Sequence, residues 1–172
     1  MPATITEDLA EGTLTNEHHR IRVVDASGTV EYTFLDVGDF TADGFEDGNR
    51  EVVALKYRKR FHHLEYGDEK EQSGSFSAAV PKRAILDGTK GHPLQAILAD
   101  GALTGATTTN PSGAGPMAWK MVVEAIISST VVSSITFPVT RLMASYSEGG
   151  DDTRVSVSFT SYSAPLFDDE VS

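Results

Sequence analysis

The amino-acid sequence predicts a mainly β protein: an antiparallel β-sandwich or barrel of about seven strands, with one flanking α-helix and a long hairpin. Alternation of apolar and polar residues at period two recurs along the chain far more often than helical spacing. Turn-forming clusters such as Asp25-Ala26-Ser27-Gly28 and Glu148-Gly149-Gly150-Asp151 separate the alternating runs. Only one stretch, around His92 to Asp100, carries apolar residues at i, i+3 and i+4.

The elements follow in order. Residues 1–20 form a polar N-terminal arm, 21–165 one folded domain and 166–172 an acidic C-terminal tail. Ile21 to Val24 and Thr29 to Val37 are strands around the first turn, and the glycine- and acid-rich run Asp36 to Asn49 is a loop. Arg50 to Tyr66 is one extended segment with Val53, Leu55, Tyr57 and Phe61 on one side. At ~3.3 Å per residue it spans ~50 Å, so it overhangs the sandwich or bends. Gly67-Asp68-Glu69-Lys70-Glu71 then turns the chain into Gln72 to Val80, where Gly74, Phe76, Ala78 and Val80 alternate with serines and Ala79.

The helix starts with Pro93 in its first turn, faces the core with Leu94, Ile97 and Leu98, and stops at Gly101. Ala102 to Pro116, rich in Gly, Thr, Ser and Pro, reads as a flexible loop whose length points to mobility or an interface role. The closing strands are Ala118 to Ile127, Ser134 to Tyr146 and Thr153 to Tyr162, the last with Val155, Val157 and Phe159 inward. Trp119 and Tyr57 sit among apolar alternations and are expected in the core.

Composition narrows the function. A length of 172 residues fits one domain, and the 40% hydrophobic, 23% charged composition is that of a soluble globular chain without a membrane span. Acids in the first eleven residues stand where a secretory signal carries positive charge. With no cysteine, disulfides, thiolate chemistry and cysteine-based zinc sites are excluded. The net charge of −11 concentrates in residues 1–49, which hold eleven acids against two bases, whereas residues 50–90 hold nine bases against six acids. Such a surface repels nucleic acid and anionic lipid. The basic run Lys56-Tyr57-Arg58-Lys59-Arg60 reads as a strand, with Lys56, Arg58 and Arg60 on one face and Lys59 on the other.

No catalytic or cofactor constellation emerges. His62 and His63 are adjacent on a strand and point to opposite faces, so they share no metal, although His63 and Glu65 share a face. The loop from Asp39 matches a calcium loop at Asp43, Gly44 and Asp47, but Arg50 replaces the bidentate acid and Glu51 comes one residue late. At most it binds calcium weakly. Gly74-Ser75-Phe76-Ser77-Ala78 lacks the final glycine of a nucleophile elbow, and no phosphate-binding loop is present. Catalytic, cofactor and metal residues are therefore expected to be none.

From about Val30 to Pro165 the order of elements resembles the phage tail tube family. The resemblance is carried by a strand pair, a hairpin ending in Glu71-Gln72-Ser73-Gly74-Ser75-Phe76-Ser77 and one helix. Ala118-Trp119-Lys120-Met121-Val122-Val123-Glu124, Ser134-Ile135-Thr136-Phe137-Pro138 and the closing hairpin Ser145 to Ser163 complete it. It implies a structural virion protein whose rings, hexameric in that family, stack into the tube through which DNA leaves the head. The implied partners are further copies, other tail proteins and DNA that passes without tight binding. The implied location is the virion after assembly in the host cytoplasm. Type VI secretion tubes and tail terminators share the fold, so a terminator or connector ring stays open beside the tube, and a ligand-binding β-barrel is the remaining alternative. The expected subunit interface is the hairpin end Tyr66, Gly67, Asp68, Glu69, Lys70, Glu71 and Gln72, which is too polar to be buried within one subunit.

Overall fold

The computed structural model describes residues 19–34, 37–45, 49–80, 92–99, 103–127, 130–147 and 153–168. The strands are β1 (His19–Val24), β2 (Glu31–Phe34), β3 (Val37–Asp43), β4 (Arg50–Tyr57), β5 (Arg60–Glu69), β6 (Gln72–Ala79), β7 (Trp119–Ile127), β8 (Thr130–Ser147), β9 (Arg154–Ser161) and β10 (Leu166–Asp168). The helix α1 (Pro93–Leu98) lies between β6 and β7. Eight strands form one antiparallel sheet in the order β2-β1-β7-β8-β9-β6-β3, with β10 added to β8, and β4 pairs only with β5.

The sandwich follows from β8, which serves both halves. Its first part pairs with β7 up to Thr140, and its last part, from Thr140 onward, pairs with β9. The register slips by one residue where Met121 faces Phe137 and Trp119 faces Thr140, so Pro138 sits in a bulge. Proline has no N–H for a ladder and is accommodated at such a bend, where a strand passes from one layer to the next. Thr140 Oγ1 donates to the Phe137 carbonyl at 3.1 Å and Tyr162 N donates to the Val139 carbonyl at 2.9 Å, satisfying backbone groups there. Between the layers lie Ile21, Val23, Trp119, Met121, Phe137, Val155, Val157 and Phe159, each at most 1% exposed. The Phe159 ring stacks on Phe40 and meets Phe137 at centroid distances of 5.7 and 5.4 Å. Offset pairs of this kind add ~1 kcal/mol each to the area they bury.

Polar groups lock two further places. Glu124, 4% exposed, is bonded by Arg22 Nε at 2.8 Å and by Arg20 Nε, so its charge enters the protein already compensated. Asp25, 3% exposed, ends β1 and accepts from Ser27 Oγ and Thr107 Oγ1 at 2.7 Å. The amides of Thr107, Thr29 and Val30 also reach it, at 3.1 Å. The loop before β7, expected to be flexible, is thereby tied to the β1–β2 turn.

The alternation readings of β6, β7 and β9 hold: Phe76 and Ala78, Val155, Val157 and Phe159 are buried, and Trp119 is a core residue. Other expectations need correction. Val37 to Asp43, expected as loop, is an edge strand paired with β6 around a bulge between Gly38 and Thr41. The chain turns back at Arg58-Lys59 and not at Gly67 to Glu71, because β4 and β5 are the arms of the hairpin. Leu98 is 69% exposed, and the buried face of α1 is Pro93 and Ala96, with Leu94 and Ile97 packed half-buried against the core. A six-residue helix presents too little face for three leucine-sized residues. It begins on a capping box, His92 Nδ1 accepting from Leu94 N and Gln95 Oε1 from His92 N, and ends at Ala99 in left-handed conformation, φ 49°. The expected stop at Gly101, the turn at 148–151, most of the N-terminal arm and the last four residues lie outside the described residues. Leu166 to Asp168, assigned to the acidic C-terminal tail, pairs with β8 along the edge that β9 leaves open.

Candidate subunit-contact site

The β4–β5 hairpin is where local sequence and global fold part company. Every described residue of β4 is exposed, and no residue of either arm is buried. Cross-strand pairs put Val52 opposite Tyr66 and Ala54 opposite Leu64 on one face. Tyr57, expected in the core, is 66% exposed, Phe61 63%, Leu64 60% and Tyr66 54%. A two-stranded hairpin has no second layer of its own, so these apolar side chains meet solvent on both faces.

At the tip the turn residues Arg58 and Lys59 have φ values of 50° and 65°. Two successive positive φ values make the tight turn that matches strand twist, a position usually filled by Asn-Gly. The Arg58 guanidinium lies over the Tyr57 ring, 5.4 Å from its centroid. The expectation of a strand with its charges divided between two faces is therefore overturned: Lys56, Arg58, Lys59 and Arg60 cluster around one turn.

The base is held to the sandwich by the segment expected as an interface. Arg50 Nε donates to the Gly67 carbonyl at 3.0 Å, and Lys70 N to the Asn49 carbonyl at 3.0 Å. Gln72 is fully buried, with Nε2 donating to the Lys70 carbonyl at 2.9 Å and to Asn49 Oδ1. Gln72 therefore anchors the hairpin, while Tyr66, Asp68, Glu69 and Glu71 are exposed, Gly67 and Lys70 less so. Gly44, at φ 90°, lets this corner form, since a Cβ there would lie 2.5 Å from the Glu71 carbonyl oxygen.

The two histidines also differ from expectation. A bulge leaves His62 as an extra residue between the pairs Leu55–His63 and Lys56–Phe61, and it turns both rings to the same side. Their Nδ1 atoms are in contact, and His63 Nε2 lies 2.8 Å from Glu65 Oε1. With Nε2–H given to Glu65, a neutral His63 accepts at Nδ1 and His62 donates. Among the described residues no group of three or more His, Asp or Glu is placed to hold a metal ion. Asp39 and Asp43, the first ligands of the calcium-like loop, lie within the span of strand β3, Asp39 in its bulge at φ 31° and Asp43 paired with Ser73 on β6.

A second apolar surface lies beside α1, where Leu94, Ile97, Leu98, Met117, Leu142 and Met143 line an open groove of about 390 Å³. Among the described residues no helix is long and apolar enough to cross a membrane.

No family model and no curated protein matches the chain. The fold is nonetheless similar to solved structures of contractile injection systems. A chain in the extended-state sheath/tube terminator of the PVC extracellular contractile injection system superposes with a TM-score of 0.56 at 7% identity, covering 92% of this chain and 99% of that one. A chain of the PVC sheath-tube complex gives 0.56 at 9% identity, covering 98% and 100%. A chain of the anti-feeding prophage cap, the tube-terminating cap, gives 0.54 at 8% identity, covering 99% and 100%.

Proposed function

We propose that this chain is a structural, non-catalytic subunit that closes into rings within a tail-type tube, in a virion tail or an extracellular injection machine. The observation that carries the reading is the β4–β5 hairpin, which buries nothing in its own subunit and exposes Tyr57, Phe61, Leu64 and Tyr66. On a fold similar to tube and terminator chains over more than nine-tenths of its length, such an element is a contact for the next copy. Rotation around a closed ring limits assembly to a defined number of copies, six by resemblance. The unit that repeats is the sandwich domain of 21–165, and the interface expected at Tyr66 to Glu71 becomes the hairpin's base, with Gln72 its anchor.

Two positions in the tube fit this subunit. A tube-body ring stacks on both sides and serves as the conduit for DNA or another cargo, whereas a terminator ring stacks on one side only. Two of the three likenesses are to a terminator or cap, which favours the terminator. Electron microscopy of the purified protein distinguishes them: single rings support a terminator and continuous tubes a tube subunit. Replacing residues 53–65 by Asn-Gly keeps the Val52–Tyr66 pair as the hairpin end and should leave the circular dichroism of the sandwich intact while abolishing rings. A wild-type protein that stays monomeric at high concentration overturns the reading.

A further inference from the structure

The hairpin is not only apolar but polarised along its length. The tip carries Lys56, Arg58, Lys59 and Arg60, with no carboxylate between them in sequence. Among the described residues no ion pair engages these four side chains. The base gathers five exposed carboxylates, Asp43, Glu51, Asp68, Glu69 and Glu71, against Arg50 and Lys70. Eight residues of β4 at ~3.3 Å each separate base from tip by ~26 Å. That is about three Debye lengths at physiological salt, so the two ends of one hairpin do not neutralise each other.

Resting on the ring-forming reading, we propose that the occupant of this exposed sheet is a second copy of the chain, docked so that the basic tip of one hairpin lies on the acidic base of the next. Charge complementarity fixes the direction of the contact, and the exposed Val52, Leu64 and Tyr66 supply its apolar area. The surfaces that meet are different on the two partners, which is the kind of contact that generates a ring. The turn carries the same signature: Arg58 and Lys59 occupy positive-φ positions that strain a side-chain-bearing residue, where Asn-Gly would form the turn without strain but without charge. A polyanion is the less favoured occupant, because even with the four tip cations included the molecule carries a net charge of −11 and repels it.

The test is a charge exchange between two full-length variants. One reverses the tip, Lys56→Glu, Arg58→Glu, Lys59→Glu and Arg60→Glu together, and the other reverses the base, Glu51→Lys, Asp68→Lys, Glu69→Lys and Glu71→Lys together. Each alone should lose all species larger than the monomer by analytical ultracentrifugation, with unchanged circular dichroism. An equimolar mixture should recover assembly, since each reversed tip then finds a reversed base. Wild-type assembly should weaken from ~0.1 M to ~1 M salt, as the Debye length falls from ~10 to ~3 Å. A single reversed variant that assembles like wild type, or a folded mixture that stays monomeric while wild type assembles, overturns the tip-to-base contact but leaves ring formation standing. Wild-type protein that never assembles removes the ring-forming reading itself. Retardation of duplex DNA by wild type, lost on tip reversal, reassigns the tip to a polyanion.

Discussion

Asp25 is the residue on which most of the loop geometry depends. Burial alone pushes its carboxyl up, but hydrogen bonds from the hydroxyls of Thr107 and Ser27 and the amides of Thr107 and Val30 outweigh that, holding it well below the usual carboxylate range. A depressed folded-state value means that the stabilisation is complete above the ordinary value of ~4 and is lost as pH falls below it toward the folded value. Asp25→Asn should lower Tm by ~5 °C at neutral pH, and the gap from wild type should narrow below pH ~4; thermal melts across that range check both. Neither this clamp nor the pairing of Glu124 with Arg20 and Arg22 was visible in the sequence. Each joins positions about a hundred or eighty residues apart through topology alone.

At the scale of elements, what was legible depended on burial. β6, β7 and β9 are covered on one face, and their alternation is imposed by that cover, so Phe76, Trp119 and Phe159 could be assigned inward from the sequence. β3 escaped notice because its glycine, aspartates and bulge read as loop, although Phe40 and Ala42 pack against the core. The hairpin misled in the opposite sense. Its valines, leucines and aromatics alternate as a core strand would, yet no layer covers them, and a turn made by Arg58 and Lys59 carries none of the usual glycine or asparagine signal. Arg58→Asn with Lys59→Gly should therefore slow amide exchange in the hairpin by relieving ~1–2 kcal/mol of strain. The Tm of the sandwich should change little, because β4 and β5 share no ladder with it. An equal change in global Tm would show that the hairpin is part of the cooperative unit.

For the whole molecule the sign of the charge matters more than any single contact. A net −11 makes the average field repulsive to duplex DNA, and the four tip cations are too few to reverse it beyond a Debye length. No band shift of duplex DNA is expected at ~0.15 M salt, and little at lower salt. Micromolar binding with a steep salt slope would count against the proposed conduit reading. The fold class was readable at this scale because the count of alternating runs and turns survives local errors. The separation into one shared sheet and one free hairpin was not, since it is decided by which strand finds which partner.

The pairing of β1 with β7 sets a timetable for synthesis. Arg20 meets Glu124, a partner 104 residues further along, so at ~5–20 residues per second the first strand waits on the order of ten seconds for its neighbour to leave the ribosome. During that interval Ile21 and Val23, fully buried in the finished protein, are in water. The surplus of acids in the first 49 residues accompanies that interval: like charges keep nascent chains on one message apart while the sandwich is still missing the strand that closes it.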